Sequence, residues 1–283
     1  MSDLRAQWDS VGYIVVRNLL DADRTRRLRG LTEEILTQWR ASDPQTGATA
    51  DADASCMRHL NHSAYFKNRS DDFAFLMGVV ADPGILEISQ TILGEPAMFR
   101  STSFFMNPTK TSRDGDWHRD SQFLTGSDEA ERQMIETCVG ESFGFQLQIA
   151  LVPSDDIEYV PGSHRRWDTP EEYTIRKADG GANNRSNAMP GALRVALAPG
   201  DAVAFTPMGH HRGRYHVDRL RRTFMLTYTP RSRPFRDWFS TQPWFLQAGY
   251  LDGLPRETKN FFDEFVETYR GDWADAPKPV TGN

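Results

Sequence analysis

The sequence predicts a mainly β chain with flanking helices, its core a jelly roll or barrel. Three observations carry this. Between residues 97 and 228, short β-prone runs alternate with Gly/Pro turns, the punctuation of an antiparallel sheet protein. Apolar residues at helical spacing fall instead in the segments before residue 95. The chain has 283 residues, 39% of them hydrophobic and 11% aromatic, enough for a large core. One domain over 1–283 is expected: a helical part to about 95, a β core over 96–230 and a packing tail over 231–283.

In order, residues 4–8 read as a short helix and 11–16 as a strand, because Val11, Ile14, Val15 and Val16 are β-branched. Asp21 and Asp23 are N-cap candidates for a helix through Trp39, with Leu28, Leu31, Ile35 and Leu36 on one face. Residues 41–54 are small and polar and read as a mobile loop. His59 and His62 follow and read as surface or hydrogen-bonded structural residues rather than metal ligands. Residues 71–94 are helical with a break at Pro83. Residues 99–106 form a strand, and 127–138 are a charged helix or loop. Residues 143–152 alternate clearly: Phe143, Phe145, Leu147, Ile149 and Leu151 on one face, Gly144, Gln146, Gln148 and Ala150 on the other. The glutamines face either water or a polar cavity, and alternation alone does not choose. Residues 168–190 read as an inserted loop. Strands over 193–197, 202–205 and 221–228 close the core, with a tight turn at Pro199-Gly200-Asp201.

A net charge of −6 excludes a general binder of nucleic acid or anionic membranes. Cys56 and Cys138 are the two cysteines, without a CxxC spacing, so a disulfide framework and a structural zinc site are not expected. The first ten residues are charged from the third onward and carry no apolar signal region, and no run of about eighteen apolar residues stands out. A soluble, cytoplasmic protein is expected.

The chemistry centres on Asp116-Trp117-His118-Arg119-Asp120. On a strand, His118 and Asp120 share a face, giving two thirds of a 2-His-1-carboxylate facial triad for non-haem Fe(II). His210, His211 and His216 are candidates for the third ligand. Five arginines crowd the same stretch. Arg212, Arg214 and Arg219 read as a solvated basic loop, whereas Arg221 enters a strand whose one face is Arg221, Thr223, Met225 and Thr227. An Arg and a Thr on one face make a clamp for a carboxylate.

These pieces, in this order, resemble the phytanoyl-CoA dioxygenase type of Fe(II)/2-oxoglutarate oxygenases over residues 8–230. The likeness rests on Asp9 to Val16, on Trp117-His118-Arg119-Asp120, and on Val160-Pro161-Gly162-Ser163-His164. It closes with Pro199-Gly200-Asp201, His211-Arg212-Gly213 and Arg221-Arg222-Thr223. The resemblance implies a double-stranded β-helix and makes His118, Asp120 and His211 the iron ligands. It leaves His210 and His216 as neighbours of the pocket. It also implies Arg221 with Thr223 as the clamp for the far carboxylate of 2-oxoglutarate, with Arg222 as the substitute, and Gln146 as a cosubstrate contact. The implied chemistry is oxidative decarboxylation of 2-oxoglutarate by O2, coupled to hydroxylation of a small molecule, or to its desaturation or cyclisation, in secondary metabolism. Related halogenases lack the carboxylate that Asp120 retains, so halogenation is not expected.

The variable segments 41–66, 121–138, 165–190 and the tail should set specificity. Arg165, Arg166 and Arg176 read as exposed loop arginines. The partner is a small-molecule substrate, with the chain a monomer or homodimer. Two other readings remain: a non-catalytic β-helix protein that binds metal or ligand, and a zinc-dependent hydrolase using the same ligands, which would have no need of Arg221.

Overall fold

A computed structural model describes residues 2–141 and 143–274. The last nine residues of the expected packing tail, 275–283, and Met1 lie outside the described residues. Ten strands form two antiparallel sheets. They are β1 (Tyr13–Val16), β2 (Cys56–Arg58), β3 (Ala97–Met106), β4 (Arg113–Asp114), β5 (Phe145–Ala150), β6 (Ile157–Tyr159), β7 (Leu193–Arg194), β8 (Ala202–Phe205), β9 (His211–Tyr215) and β10 (Arg222–Pro230). The first sheet has the order β1-β8-β5-β10-β3-β2, the second β4-β9-β6-β7. Sequence neighbours are seldom sheet neighbours here, so most strands cross between layers before pairing.

The two faces of the first sheet do different work. Phe145, Leu147 and Ile149 of β5, with Phe224 and Leu226 of β10, join the main core beneath the helices. On the opposite face, Ala150, Val203 and Phe205 meet Ile157 and Tyr159 of the second sheet. Gln146 and Gln148 open on this inner side, which settles the alternation seen over 143–152 in favour of a cavity.

The helices are α1 (Ser2–Val11), α2 (Ala22–Ala41), α3 (Ser70–Val80), α4 (Pro83–Leu93), α5 (Asp128–Thr137), α6 (Pro170–Arg176), α7 (Ala178–Gly181) and α8 (Arg256–Ala274). Asp21 caps α2 by accepting from the Arg24 amide, and Leu28, Leu31, Ile35 and Leu36 are its buried stripe. Each such buried aliphatic contributes about 2 kcal/mol. Phe262 and Phe265 of α8 complete the same core. Helical residues outnumber strand residues, so "mainly β" describes the centre of the architecture and not its residue count.

Two expectations change, and one short element is new. Segment 168–190 is not a plain loop: it carries α6 and α7, and Thr169 and Glu172 form a reciprocal capping box with Pro170 in the first turn. Segment 56–58 pairs with β3 as an edge strand too short to show any periodicity. Ser70–Leu93 is, by length and composition, long and apolar enough to cross a membrane. It divides into α3 and α4, with Asp82 capping α4 through the amides of Gly84 and Ile85, and Leu76, Val80, Ile85 and Ile92 sit in the core. The turn at Pro199-Gly200-Asp201 is as expected. Gly200 has φ +90°, and a Cβ there would lie 2.3 Å from the Leu20 carbonyl oxygen.

Candidate metal centre

His118 is not on a regular strand. After β4 pairs with β9 (Arg113 with Tyr215, Asp114 with Arg214), the register slips by one, and His118 and His211 meet as an isolated antiparallel bridge. Each donates its backbone N–H to the other's carbonyl, at 3.2 and 3.0 Å. This reciprocal pair brings two imidazoles from distant parts of the chain together, with ring centroids 4.2 Å apart. Asp120 begins a 3-10 turn (Asp120–Phe123) rather than continuing a strand, yet its carboxylate reaches the same point. The residue between, Arg119, goes the other way and is fully buried.

The donor atoms are set by what lies behind them. A carbonyl oxygen only accepts, so Nδ1–H of His118 donates to the Asp116 carbonyl (2.7 Å) and Nδ1–H of His211 to the Gly209 carbonyl (3.0 Å). Both Nε2 lone pairs are thereby left forward, each 3.7 Å from Asp120 Oδ1. Gln146 Nε2 donates to the other carboxylate oxygen, Oδ2, at 2.9 Å. The three ligand atoms lie within 4.8 Å of one another. Two lone pairs and a carboxylate oxygen converge with no hydrogen to share, an arrangement that a cation satisfies. The 3.7 Å spacings are about 0.7 Å longer than the about 3.0 Å edge of an octahedral site with about 2.1 Å bonds, so the three side chains would draw together around an ion. Burial holds His211 well below the ordinary imidazole value, so it is neutral, the ligating form. Burial pushes the Asp120 carboxyl up, while His118, Arg100 and Arg58 pull it back.

The three residues open on a cavity of about 290 Å³ that also includes Arg58, Gln146, Gln148, Arg221 and Phe239. A larger, more open groove around Asp128, Arg132, Trp167 and Tyr173 contains none of them. Arg221 is buried against Phe105 and Tyr215, its Nη1 donates to the Arg214 carbonyl (2.9 Å), and its Nε has no partner. Gly213 makes room for it, since a Cβ there would lie 2.7 Å from Arg221 Nη1. Arg222 points elsewhere, to Glu33 and Asn107. Thr223 is buried and does not line the cavity; Met225 and Thr227 of the same face do.

The remaining histidines and arginines divide differently from the expectation. His210 is buried and bonded to Asp168 (2.9 Å), His216 is bonded to Asp114 (2.8 Å), and neither lines the cavity. Arg212, Arg214 and Arg219 are not a solvated loop. Arg212 is buried on Trp117 and paired with Glu158, Arg214 pairs with Asp114, and Arg219 with Asp155 and Asp156. Arg165 and Arg166 are exposed as expected, but Arg176 is buried between Asp168 and Glu131. His59 and His62 are structural: His59 contacts the Phe239 carbonyl and Gln45, and His62 caps a 3-10 turn (Ser63–Phe66). Cys56 and Cys138 are free thiols. Arg58, Arg100, Tyr215 and Phe239 line the cavity and had no signal in the sequence. Arg58 is on a three-residue strand and Phe239 in an irregular tail, without a period to read, while Arg100 and Tyr215 lie on β3 and β9, whose cavity side only the sheet pairing decides.

The fold is shared with solved oxygenase structures of low identity. EctD from S. alaskensis, solved with 2-oxoglutarate and 5-hydroxyectoine, is similar at TM-score 0.60 and 17% identity, covering 92% of this chain and 86% of that one. The non-haem alpha-ketoglutarate-dependent epimerase SnoN of nogalamycin biosynthesis is similar at TM-score 0.55 and 17% identity, covering 81% and 82%. The carbocyclase SnoK of the same biosynthesis is similar at 0.56 and 16%, covering 81% and 84%. No curated protein matches in sequence. The sequence profile of the phytanoyl-CoA dioxygenase family matches residues 8–222, a stretch that contains β1, the His118/Asp120 turn and the His211 strand. With that match spanning most of the chain, the protein belongs to the phytanoyl-CoA dioxygenase family.

Proposed function

We propose that the chain is an Fe(II)- and 2-oxoglutarate-dependent dioxygenase acting on a small molecule, a single cytoplasmic domain over 1–283 with a double-stranded β-helix core. The observation that carries this is the convergence of His118 Nε2, His211 Nε2 and Asp120 Oδ1 in a cavity that also contains the open guanidinium of Arg221. Fe(II) held there would supply, with 2-oxoglutarate and dioxygen, oxidative decarboxylation to succinate and CO2 coupled to oxidation of a substrate C–H bond.

The chain's own residues do the rest. The carbonyls of Asp116 and Gly209 fix the two imidazole tautomers, and Gln146 turns one oxygen of Asp120 forward. Arg221 receives the far carboxylate of 2-oxoglutarate in a buried setting where a charge-assisted bond is strong. Phe105 and Tyr215, packed on the guanidinium, exclude water from it. The likeness to EctD and SnoN, both solved with the cosubstrate, supports the same reading. A zinc-dependent hydrolase would leave Arg221 without a task. The oxidation is a hydroxylation or one of its variants, desaturation or cyclisation.

The test is succinate formation and O2 consumption by anaerobically Fe(II)-loaded protein with 2-oxoglutarate and no further substrate, alongside calorimetric metal titration. Slow turnover is expected, lost in His211→Ala together with metal affinity and lost in Arg221→Ala with metal affinity retained. Metal binding without any 2-oxoglutarate binding would favour the hydrolase.

A further inference from the structure

The cavity contains a second guanidinium to which the cosubstrate reading gives no task. Arg58, the last residue of β2, is half-buried in the wall, with Nη1 donating to Ser103 Oγ at 2.7 Å. Its guanidinium lies 5.3 Å from the Phe105 ring and 5.1 Å from the Phe239 ring. Among the described residues no carboxylate lies within ion-pairing distance of it, whereas its wall neighbour Arg100 is paired with Asp237. A cation drawn into a partly enclosed cavity without an ion-pair partner costs free energy that an anion entering the cavity recovers. Arg221 lies 5.0 Å from the same Phe105 ring, also without a carboxylate partner. One dicarboxylate cosubstrate, with one end at the metal, uses one of these two cations.

Building on the oxygenase reading above, we propose that Arg58 binds an oxyanion group, carboxylate or phosphate, of the primary substrate. Position separates the two cations. Arg58 is half-buried, whereas Arg221 is 1% exposed and sits deeper, under Gly213 and Tyr215. The cavity wall also carries the apolar Phe239, Met225 and Ile157, beside the polar Gln146, Gln148 and Thr227. At the His118 edge, Phe123 is 69% exposed with its ring 5.9 Å from the imidazole, an apolar ledge facing solvent. The substrate is therefore an amphipathic small molecule: an anionic end on Arg58, and an apolar body along Phe239 that presents its C–H bond beside His118 and Asp120. Ser103 orients the guanidinium for this contact, and the two flanking rings hold its planar fork in place.

The experiment uses protein loaded with Ni(II) and saturating N-oxalylglycine, an inert cosubstrate mimic that occupies Arg221, and follows probe binding by ligand-observed NMR. The probes are phenylacetate, benzylphosphonate and the neutral phenylacetamide. Both anions should bind at least about tenfold more tightly than the amide, and the stronger anion identifies carboxylate or phosphate as the natural group. Arg58→Gln should abolish the difference with N-oxalylglycine affinity retained, and Arg221→Gln should do the reverse. Arg58→Lys, which keeps the charge and loses the fork, should fall between and serves if the Gln variant does not fold. Equal binding of amide and anions, or an unchanged anion preference in Arg58→Gln, overturns the proposal. So does loss of N-oxalylglycine binding in Arg58→Gln in place of Arg221→Gln. Failure of wild-type protein to bind N-oxalylglycine at all would instead overturn the oxygenase reading, and the probe series still reads Arg58 by itself.

Discussion

Four arginines around the metal centre are handled in two opposite ways. Arg119 and Arg176 are buried and fully neutralised. Asp168 takes Arg119 on Oδ1 (3.0 Å) and Arg176 on Oδ2 (2.7 Å), Glu131 takes Arg176 again (2.9 Å), and His210 bonds the same Asp168 oxygen as Arg119. Arg58 and Arg221 are enclosed by aromatic rings and have no carboxylate partner among the described residues. The first pair is architecture. Arg119 lies between His118 and Asp120, and His210 precedes His211, so one carboxylate ties together both segments of the candidate metal site. The second pair has no counter-charge among the described residues, and each is proposed above to receive an incoming anion. The contrast teaches that a buried arginine says nothing about ligand binding until its counter-charge has been located.

The largest effect should come from removing the shared counter-charge. Burial alone would raise the Asp168 carboxyl, yet His210, Arg119 and Arg176 hold it well below the ordinary carboxylate range. Asp168→Asn strands the buried Arg119 guanidinium, leaves Arg176 with Glu131 alone, and should cost about 3–5 kcal/mol in urea unfolding. A loss under about 1 kcal/mol would break the distinction between the pairs.

Next in size is a buried group kept uncharged. Burial lowers the His59 imidazole from 6.5 to about 4, partly offset by its bond to the Phe239 carbonyl. The folded state then binds the proton less tightly than the unfolded chain. Stability is full above pH 6.5 and falls as pH drops through the window to about 4, by up to about 3 kcal/mol. Denaturant midpoints measured across that window should flatten in His59→Gln; an unchanged slope would place the acid sensitivity elsewhere.

The smallest change should belong to the open pair. Arg221→Gln removes a charge that has no partner in the protein, so unfolding free energy should move by less than about 1 kcal/mol, or rise. The variant should also lose the thermal stabilisation that 2-oxoglutarate gives the metal-loaded wild type. A destabilisation comparable with Asp168→Asn would make Arg221 architecture too.

Much of this was legible in the chain. The alternation of Phe145 to Ile149 against Gln146 and Gln148, the Asp21 cap, the break at Pro83 and the Gly200 turn are local signals, and each is realised in the fold. His118 and Asp120 are marked by their spacing, His211 by the family resemblance among three candidates, and the fold brings the three within 4.8 Å. The capping box at Thr169 was present in the letters and was missed because the surrounding polarity suggested a loop.

What the sequence determined by itself is what depends on neighbours a few residues away: periodicity, caps, turns, and the candidate ligands. What only the tertiary structure decided is pairing over long separations. The register slip that sets His118 opposite His211 depends on β4 meeting β9, about a hundred residues apart. Which of Arg221 and Arg222 faces the cavity depends on how the start of β10 sits against the second sheet. The distinction between Arg119 and Arg58 depends on where Asp168 lands. An arginine's charge is fixed by its chemistry, but its counter-charge is fixed by the fold.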